Sequence, residues 1–422
     1  MKPSPIRCLA IVLLLVGTLP SLAQYTDPAY ISDLGGPQEF ARRRAELAKK
    51  VKTGYIVLFA RVTIPESNHY REDNDFFYYT GLSDPGAVMI MDAGKQDVTI
   101  FEPEQSQRTK QVYGANLLAM TPEQREKLGY KIVMPVSALD TVLTFVLSTE
   151  TDLWLRLTFA DKADGARPEV GLDYAQEYAA PYGDPTPGDR AAIAKLAQRY
   201  PAAHQRDVTP FIDEMRNIKT PQEITVLRRN GALSAEGIKQ AIAHAHPPMY
   251  EYQIEARAAF VFRNGGASGW AYPAIVSSGE NINTWHYFND RRQIQPNELV
   301  VFDFAADLDH ITMDITRTFN ISGKFTPEQA KWYTVDLECQ KAVIAQLKPG
   351  NTYEQASDAG KTVLEKYGEG KQWHGFPGHF VGLATHDVLA RRDRSKRARW
   401  SQSSRLWSSR TSKCTSEWKT PS

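Results

Sequence analysis

From Glu39 to Val51 the chain reads "EFARRRAELAKKV", with apolar residues at helical spacing. Three strand-like runs follow, "YIVLFARV", "GAVMIMDAG" and "QDVTIFEPE", with Gly and Asp at their turns. The pattern predicts further helices over 108–118 and 187–199. Strands interleaved with helices indicate an α/β domain. The segment "RYPAAHQRDVTPFIDEMRNIKTP" then interrupts the pattern with three prolines. The domain boundary is placed there, at about residue 205.

Beyond it, three helix starts share one signature: "TPQE" at Thr220, "TPEQ" at Thr326 and "TYEQ" at Thr352. Each reads as a capping box, and in two of them Pro occupies the first helical position, where its missing N–H costs nothing. After the first cap, Ile224, Leu227, Ala235, Ile238 and Ile242 predict an apolar stripe. The strand-like runs "AIVSSGENINTWHY", "ELVVFDFAA" and "ITMDITRTF" lie between these helices. The second half therefore reads as α+β, with helices flanking a sheet.

Two carboxylates interrupt that sheet. If 299–306 and 311–319 form a hairpin with its turn on Asp307 to His310, Asp303 and Asp314 lie directly opposite on one face. Their Cβ atoms would then be about 4.5–5.5 Å apart. Like charges that close force one group to take a proton unless a cation sits between them. Solvated carboxylates on an exposed face are the plain alternative, but Val301, Phe302, Phe304, Ile315 and Phe319 argue for burial on both sides. A metal is the economical answer, and two carboxylates are too few for a divalent ion. Downstream, "HGFPGHFVGLATHD" supplies His374, His379 and His386, three of the nine histidines. Upstream, "ENINTWHYF" adds His286 beside aromatics. Any one of these is more often a structural residue; together with the aspartates they point to a metal site.

Composition adds limits. With 42% hydrophobic and 23% charged residues, the 422-residue chain suits two domains with separate cores. A net charge of +1 gives no general attraction to nucleic acid or to an anionic membrane. Lys2 and Arg7 precede the apolar run "CLAIVLLLVGTL", and "SLAQ" follows. This reads as a secretory signal peptide cut after Ala23, because the run is shorter than the ~20 apolar residues of a bilayer span. The expected location is secreted or periplasmic. Of three cysteines, Cys339 and Cys414 would remain, so no disulfide framework is expected.

The ordered motifs resemble a known family. A His in "WHYFND", two Asp eleven apart before "TRTF", and then "HGFPGHFVGLATHD" resemble the pita-bread metallopeptidases, and within them the aminopeptidase P (Xaa-Pro aminopeptidase) group. "RNIKTPQEITVLRRNGALSAEG" is similar to the start of that catalytic domain, and "YREDNDFFYYTGLSDPGAVMIM" to the group's amino-terminal domain. With the signal peptide taken as 1–23, the resemblance implies an α/β amino-terminal domain over 24–205 and a pita-bread (creatinase/aminopeptidase) domain over 206–388. It also implies two divalent ions, with Asp303 on one, Asp314 bridging both and His379 on the second. His286 and His386 would line the substrate site. His374 is left out, because five positions separate it from His379 where the usual pattern has four. Such ions hold a bridging hydroxide that attacks the scissile carbonyl. Oxygen-rich ligation with one imidazole suits Mn²⁺ best, with Co²⁺ and Zn²⁺ compatible. The implied substrates are peptides with proline second, and the implied assembly is a homodimer or homotetramer.

The chain departs from that pattern after Val388. The family's two closing glutamates, in an "EP" turn and an "R-x-E-D" strand, are missing from "LARRDRSKRARWSQSSRLWSSRTSKCTSEWKTPS". With suitable synonymous codons, the neighbouring reading frame of this tail can encode both "VEP" and "RVED". The expectation is therefore a shifted frame over 389–422, and a chain that is inactive as written because each ion lacks a carboxylate. A prolidase and a metal-free binding protein on the same fold are the competing readings.

Overall fold

The run YIVLF is buried at its three central residues and forms β1 (Tyr55–Phe59), an inner strand of a mixed six-stranded sheet. The sheet also contains β2 (Val88–Asp92), β3 (Asp97–Glu102), β4 (Ile132–Pro135), β5 (Asp152–Leu155) and β6 (His204–Asp207), in the order β4-β3-β2-β1-β5-β6. β1, β2 and β3 pair antiparallel, and β4, β5 and β6 join in parallel. The structure is a computed structural model that describes residues 33–62, 70–181, 188–375, 377–388 and 407–408. The expected signal peptide lies outside the described residues, as does most of the tail.

Period-2 alternation sends the sheet's side chains into two cores. Val57, Ile90, Phe101 and Leu155 face one of them. Leu58, Met89 and Ile100 face the other, where they meet Phe40, Phe77, Val226, Leu227, Ile311, Val381 and Leu383. The second core therefore joins residues from both halves of the chain. β6 spans the expected boundary at 205, so the amino-terminal sheet runs on to Asp207. Of the two helices expected beside it, Gly188–Arg199 forms as read. The first is shorter, Gln107–Tyr113, because Gly114 follows at φ 87° and ends the turn.

All three expected capping boxes form: each Thr accepts the backbone N–H three residues on, and the Glu or Gln there accepts the N–H of the Thr. The stripe on Pro221–His244 is rotated from the expected one. Leu227 and Ile238 are buried, but Val226, Asn230, Ser234, Gly237 and Ala241 share that face, and Ile224, Ala235 and Ile242 are only half-buried. The polar pair is used: Asn230 donates to the Ala306 and Ile311 carbonyls at 2.8 and 2.7 Å, and Ser234 accepts the Ala306 N–H at 3.0 Å.

What Asn230 and Ser234 hold is the aspartate hairpin. Each arm is broken in two: β9 (Leu299–Asp303) and β10 (Ala306–Leu308) on one side, β11 (Ile311–Thr312) and β12 (Thr316–Asn320) on the other. β10 pairs with β11 on one side and with β7 (Gly269–Trp270) on the other in one sheet, while β9 pairs with β12 and with β8 (Ile275–Ser278) in another. The register differs from the expected one, since Asp303 lies opposite Thr316, not Asp314. The reason is the turn. Asp309 and His310 alone form it, at φ 55° and 57°, and Leu308 already pairs with Ile311. A two-residue turn with both centres at positive φ matches the twist of a hairpin. It moves the pairing by two residues, which preserves the face of each side chain. Val276, Val300, Phe302 and Phe319 pack with Ile254 and Phe262 behind this sheet. Downstream, β13 (His379–Phe380) pairs antiparallel with β14 (Trp407–Ser408).

Candidate metal centre

Asp303 ends β9 and is fully buried; Asp314, also buried, sits in the interruption between β11 and β12. Tyr272, in the segment after β7, joins them: its hydroxyl lies 2.5 Å from Asp303 Oδ1 and 3.1 Å from Asp314 Oδ1. The two carboxylates thus converge as diagonal neighbours on one face, not as a directly opposed pair.

The histidines reach this point from the strand and loop at 379–388. His379 Nε2 lies 2.8 Å from Asp314 Oδ2, with Nδ1 at 3.0 Å from the Phe380 carbonyl. The His386 ring stands edge-on to His379, centroids 4.4 Å apart. One carboxylate oxygen of Asp314 and one ring nitrogen from each histidine all lie within 4.8 Å of one another. His286 and His374 are not in this cluster. Both are exposed, His286 stacked on Phe288 at 5.7 Å and His374 edge-on to Trp285 at 5.6 Å.

The loop is held by backbone and by buried charge. Thr312 donates its N–H and hydroxyl to the Gly382 carbonyl at 2.7 and 2.9 Å. Gly382 itself is required, since a Cβ there would come within 2.1 Å of Asp387 Oδ2. Asp387 accepts from Arg216 and from Lys219, both at 2.7 Å. Burial raises the Asp387 carboxyl, and Lys219 and then Arg216 outweigh it, holding the group below the usual carboxylate range. Arg216 continues the network to Asp161 at 2.6 Å and Asp75 at 2.7 Å, and Asp75 also pairs with Arg156 and Arg167.

The hairpin tip docks on the amino-terminal half. Arg71 binds Asp307 Oδ2 at 2.5 Å and donates to the carbonyls of His310 at 3.0 Å and Leu383 at 2.6 Å. The His310 ring stacks on Phe77 with centroids 4.0 Å apart, and burial pushes its imidazole down to about 3. Glu169, from the helix Arg167–Ala179, reaches His386 Nδ1 at 2.5 Å. Sequence reading missed Tyr272, Glu169 and Arg71 as parts of the site. No periodicity marks a residue whose partner is more than two hundred positions away, as it is for Glu169 and His386.

The donor set fits a divalent cation. Oxygen and imidazole donors converge, while the buried thiol of Cys339 lies elsewhere, against the Gly360 carbonyl. The fuller set with two further glutamates is not assembled: among the described residues the cluster is Asp314, His379 and His386.

Comparison with known proteins agrees. The model of metallopeptidase family M24 matches residues 225–405, and that of the aminopeptidase P N-terminal domain matches residues 40–154. The Xaa-Pro aminopeptidase of Escherichia coli (strain K12) is 27% identical over 387 residues, covering 85% of this chain and 83% of its own length. The Zn-substituted aminopeptidase P of E. coli in complex with product superposes with TM-score 0.67 at 26% identity, over 84% of this chain and 82% of that one. The Pseudomonas aeruginosa aminopeptidase PepP, at 24% identity, shares the fold with TM-score 0.70 over 86% and 84% of the two chains. Family membership implies divalent metal ions and peptide hydrolysis. The chain belongs to metallopeptidase family M24, as a hydrolase of the aminopeptidase P type with its own amino-terminal domain.

Proposed function

We propose that the protein is an exported metal-dependent aminopeptidase that releases the residue ahead of a proline at the second position of a peptide. The observation that carries this reading is the convergence of Asp303 and Asp314 on Tyr272 and of His379 and His386 on Asp314, in a chain similar over most of its length to Xaa-Pro aminopeptidases. Asp303, Asp314 and His379 are the residues that would hold metal. Bound divalent ions supply the charge that makes a water acidic near neutral pH and polarises a carbonyl.

The chain's own residues do the rest. The Tyr272 phenol orients both carboxylates through one hydroxyl. His386, braced by Glu169, presents an imidazole beside His379 for contact with the scissile peptide. His286 lies exposed with Phe288 and serves as a substrate-lining residue in this reading. A polypeptide carrying both closing glutamates has the two-ion complement, with Mn²⁺ favoured, and assembles as a homodimer or homotetramer. The chain as written, with its tail out of frame, is inactive or nearly so because those carboxylates are missing.

The test compares the chain as written with a frame-corrected polypeptide on Xaa-Pro and Xaa-Pro-Xaa peptides. Metal-dependent cleavage of the longer peptide by the corrected form alone is the expected result. Cleavage of the dipeptide only points to a prolidase. Full activity of the chain as written, confirmed by mass, overturns the inactivity; the absence of cleavage by either form, whatever metal is added, overturns the peptidase reading.

A further inference from the structure

We propose that this chain, as written, binds a single divalent ion through Asp314, His379 and His386, and that Glu169 of the amino-terminal half is the residue that positions His386. This rests on the metal reading above and changes its ligand set: His386 becomes a ligand and not a residue that contacts substrate.

The first support is geometric. Asp314, His379 and His386 each bring one donor atom inside a mutual 4.8 Å, whereas the further carboxylates that two ions require are not in the cluster among the described residues. Two imidazoles and a carboxylate suffice for one ion with open positions for water or substrate.

The second support is how His386 is held. Glu169 Oε1 meets its Nδ1 at 2.5 Å, while Oε2 accepts the Ala166 N–H at 2.7 Å as the closing residue of a helix start. A carboxylate fixed by backbone at one oxygen has little freedom at the other. Its helix is in turn anchored by Arg167, paired with Asp75 and Asp213. The neighbours of His386 are pinned as well: the Thr385 N–H donates to the Ala163 carbonyl at 2.7 Å, and Asp387 binds Arg216 and Lys219. With Nδ1–H donated to Glu169, the neutral ring carries its lone pair on Nε2. That is the carboxylate–histidine pairing which orients imidazoles toward metals and raises their basicity. The nitrogen-richer set shifts preference from Mn²⁺ toward Zn²⁺ and Co²⁺.

Titration of the full-length protein with Co²⁺, followed by visible d–d absorption and by calorimetry, tests this. One ion per chain is expected. Glu169→Gln should weaken binding roughly tenfold to a hundredfold, the usual size of an outer-shell loss, and His386→Ala by more. The Gln amide oxygen can still accept the Ala166 N–H, so Glu169→Gln keeps the helix start intact, and a change in its cobalt spectrum reports on His386. Two ions per chain, or an unchanged affinity and spectrum in both variants, overturns the proposal and leaves the reading of Asp303, Asp314 and His379 standing. No cobalt uptake by the unaltered chain overturns both.

Discussion

The two buried aspartates share one phenolic proton, and Tyr272 is therefore the residue that makes their proximity tolerable. A hydrogen bond to a charged group contributes about 1.5–3 kcal/mol. Tyr272→Phe is expected to lose about that much stability in denaturant unfolding with chelator present, and less when a divalent cation is supplied. His310 makes a different contribution. It is buried at a left-handed turn position, and its imidazole protonates near 3 in the fold against 6.5 ordinarily. Below pH 6.5 the unfolded chain binds the extra proton first. The stabilisation is therefore complete above that pH and falls toward pH 3, by up to about 1.4 kcal/mol per pH unit. Asn tolerates positive φ, so His310→Asn should fold and lose that slope in an acid unfolding series. At this scale the sequence pointed to Asp303, Asp314, His379 and His386. It was silent on Tyr272 and Glu169, because what marks them is a contact made only after folding.

Among the elements, the hairpin shows how far pattern reading reaches. Its existence followed from β-branched runs around a polar turn, and its face from alternation. Its register depended on backbone angles at Asp309 and His310, which hydrophobicity does not encode. The error was two residues, so the aspartates still meet, but as diagonal neighbours brought together by Tyr272. The loop carrying His386 depends on Asp387, whose two oxygens are shared between Arg216 and Lys219 in full burial. Removing one member of a buried ion network leaves its partners unpaired, at a cost of about 3–5 kcal/mol. Asp387→Asn should lower stability by that order in chemical denaturation, and weaken metal binding with it.

Across the whole molecule, the amino-terminal half does more than precede the catalytic half. Its sheet shares a core with Val226, Ile311 and Val381, its Arg71 clasps the hairpin tip, and its Glu169 touches His386. Two domains with separate cores were expected from length and from the proline-rich break. The shared core went unseen because alternation along a strand shows that a face is buried and not which part of the chain covers it. No helix among the described residues is long and apolar enough to cross a membrane. In the function proposed above, Asp314 and His379 bind a divalent cation. Diffraction from crystals grown with Mn²⁺, recorded at the manganese absorption edge, tests it most directly. An anomalous peak within coordination distance of Asp314 and His379 is expected; manganese taken up only at other positions would rule that site out.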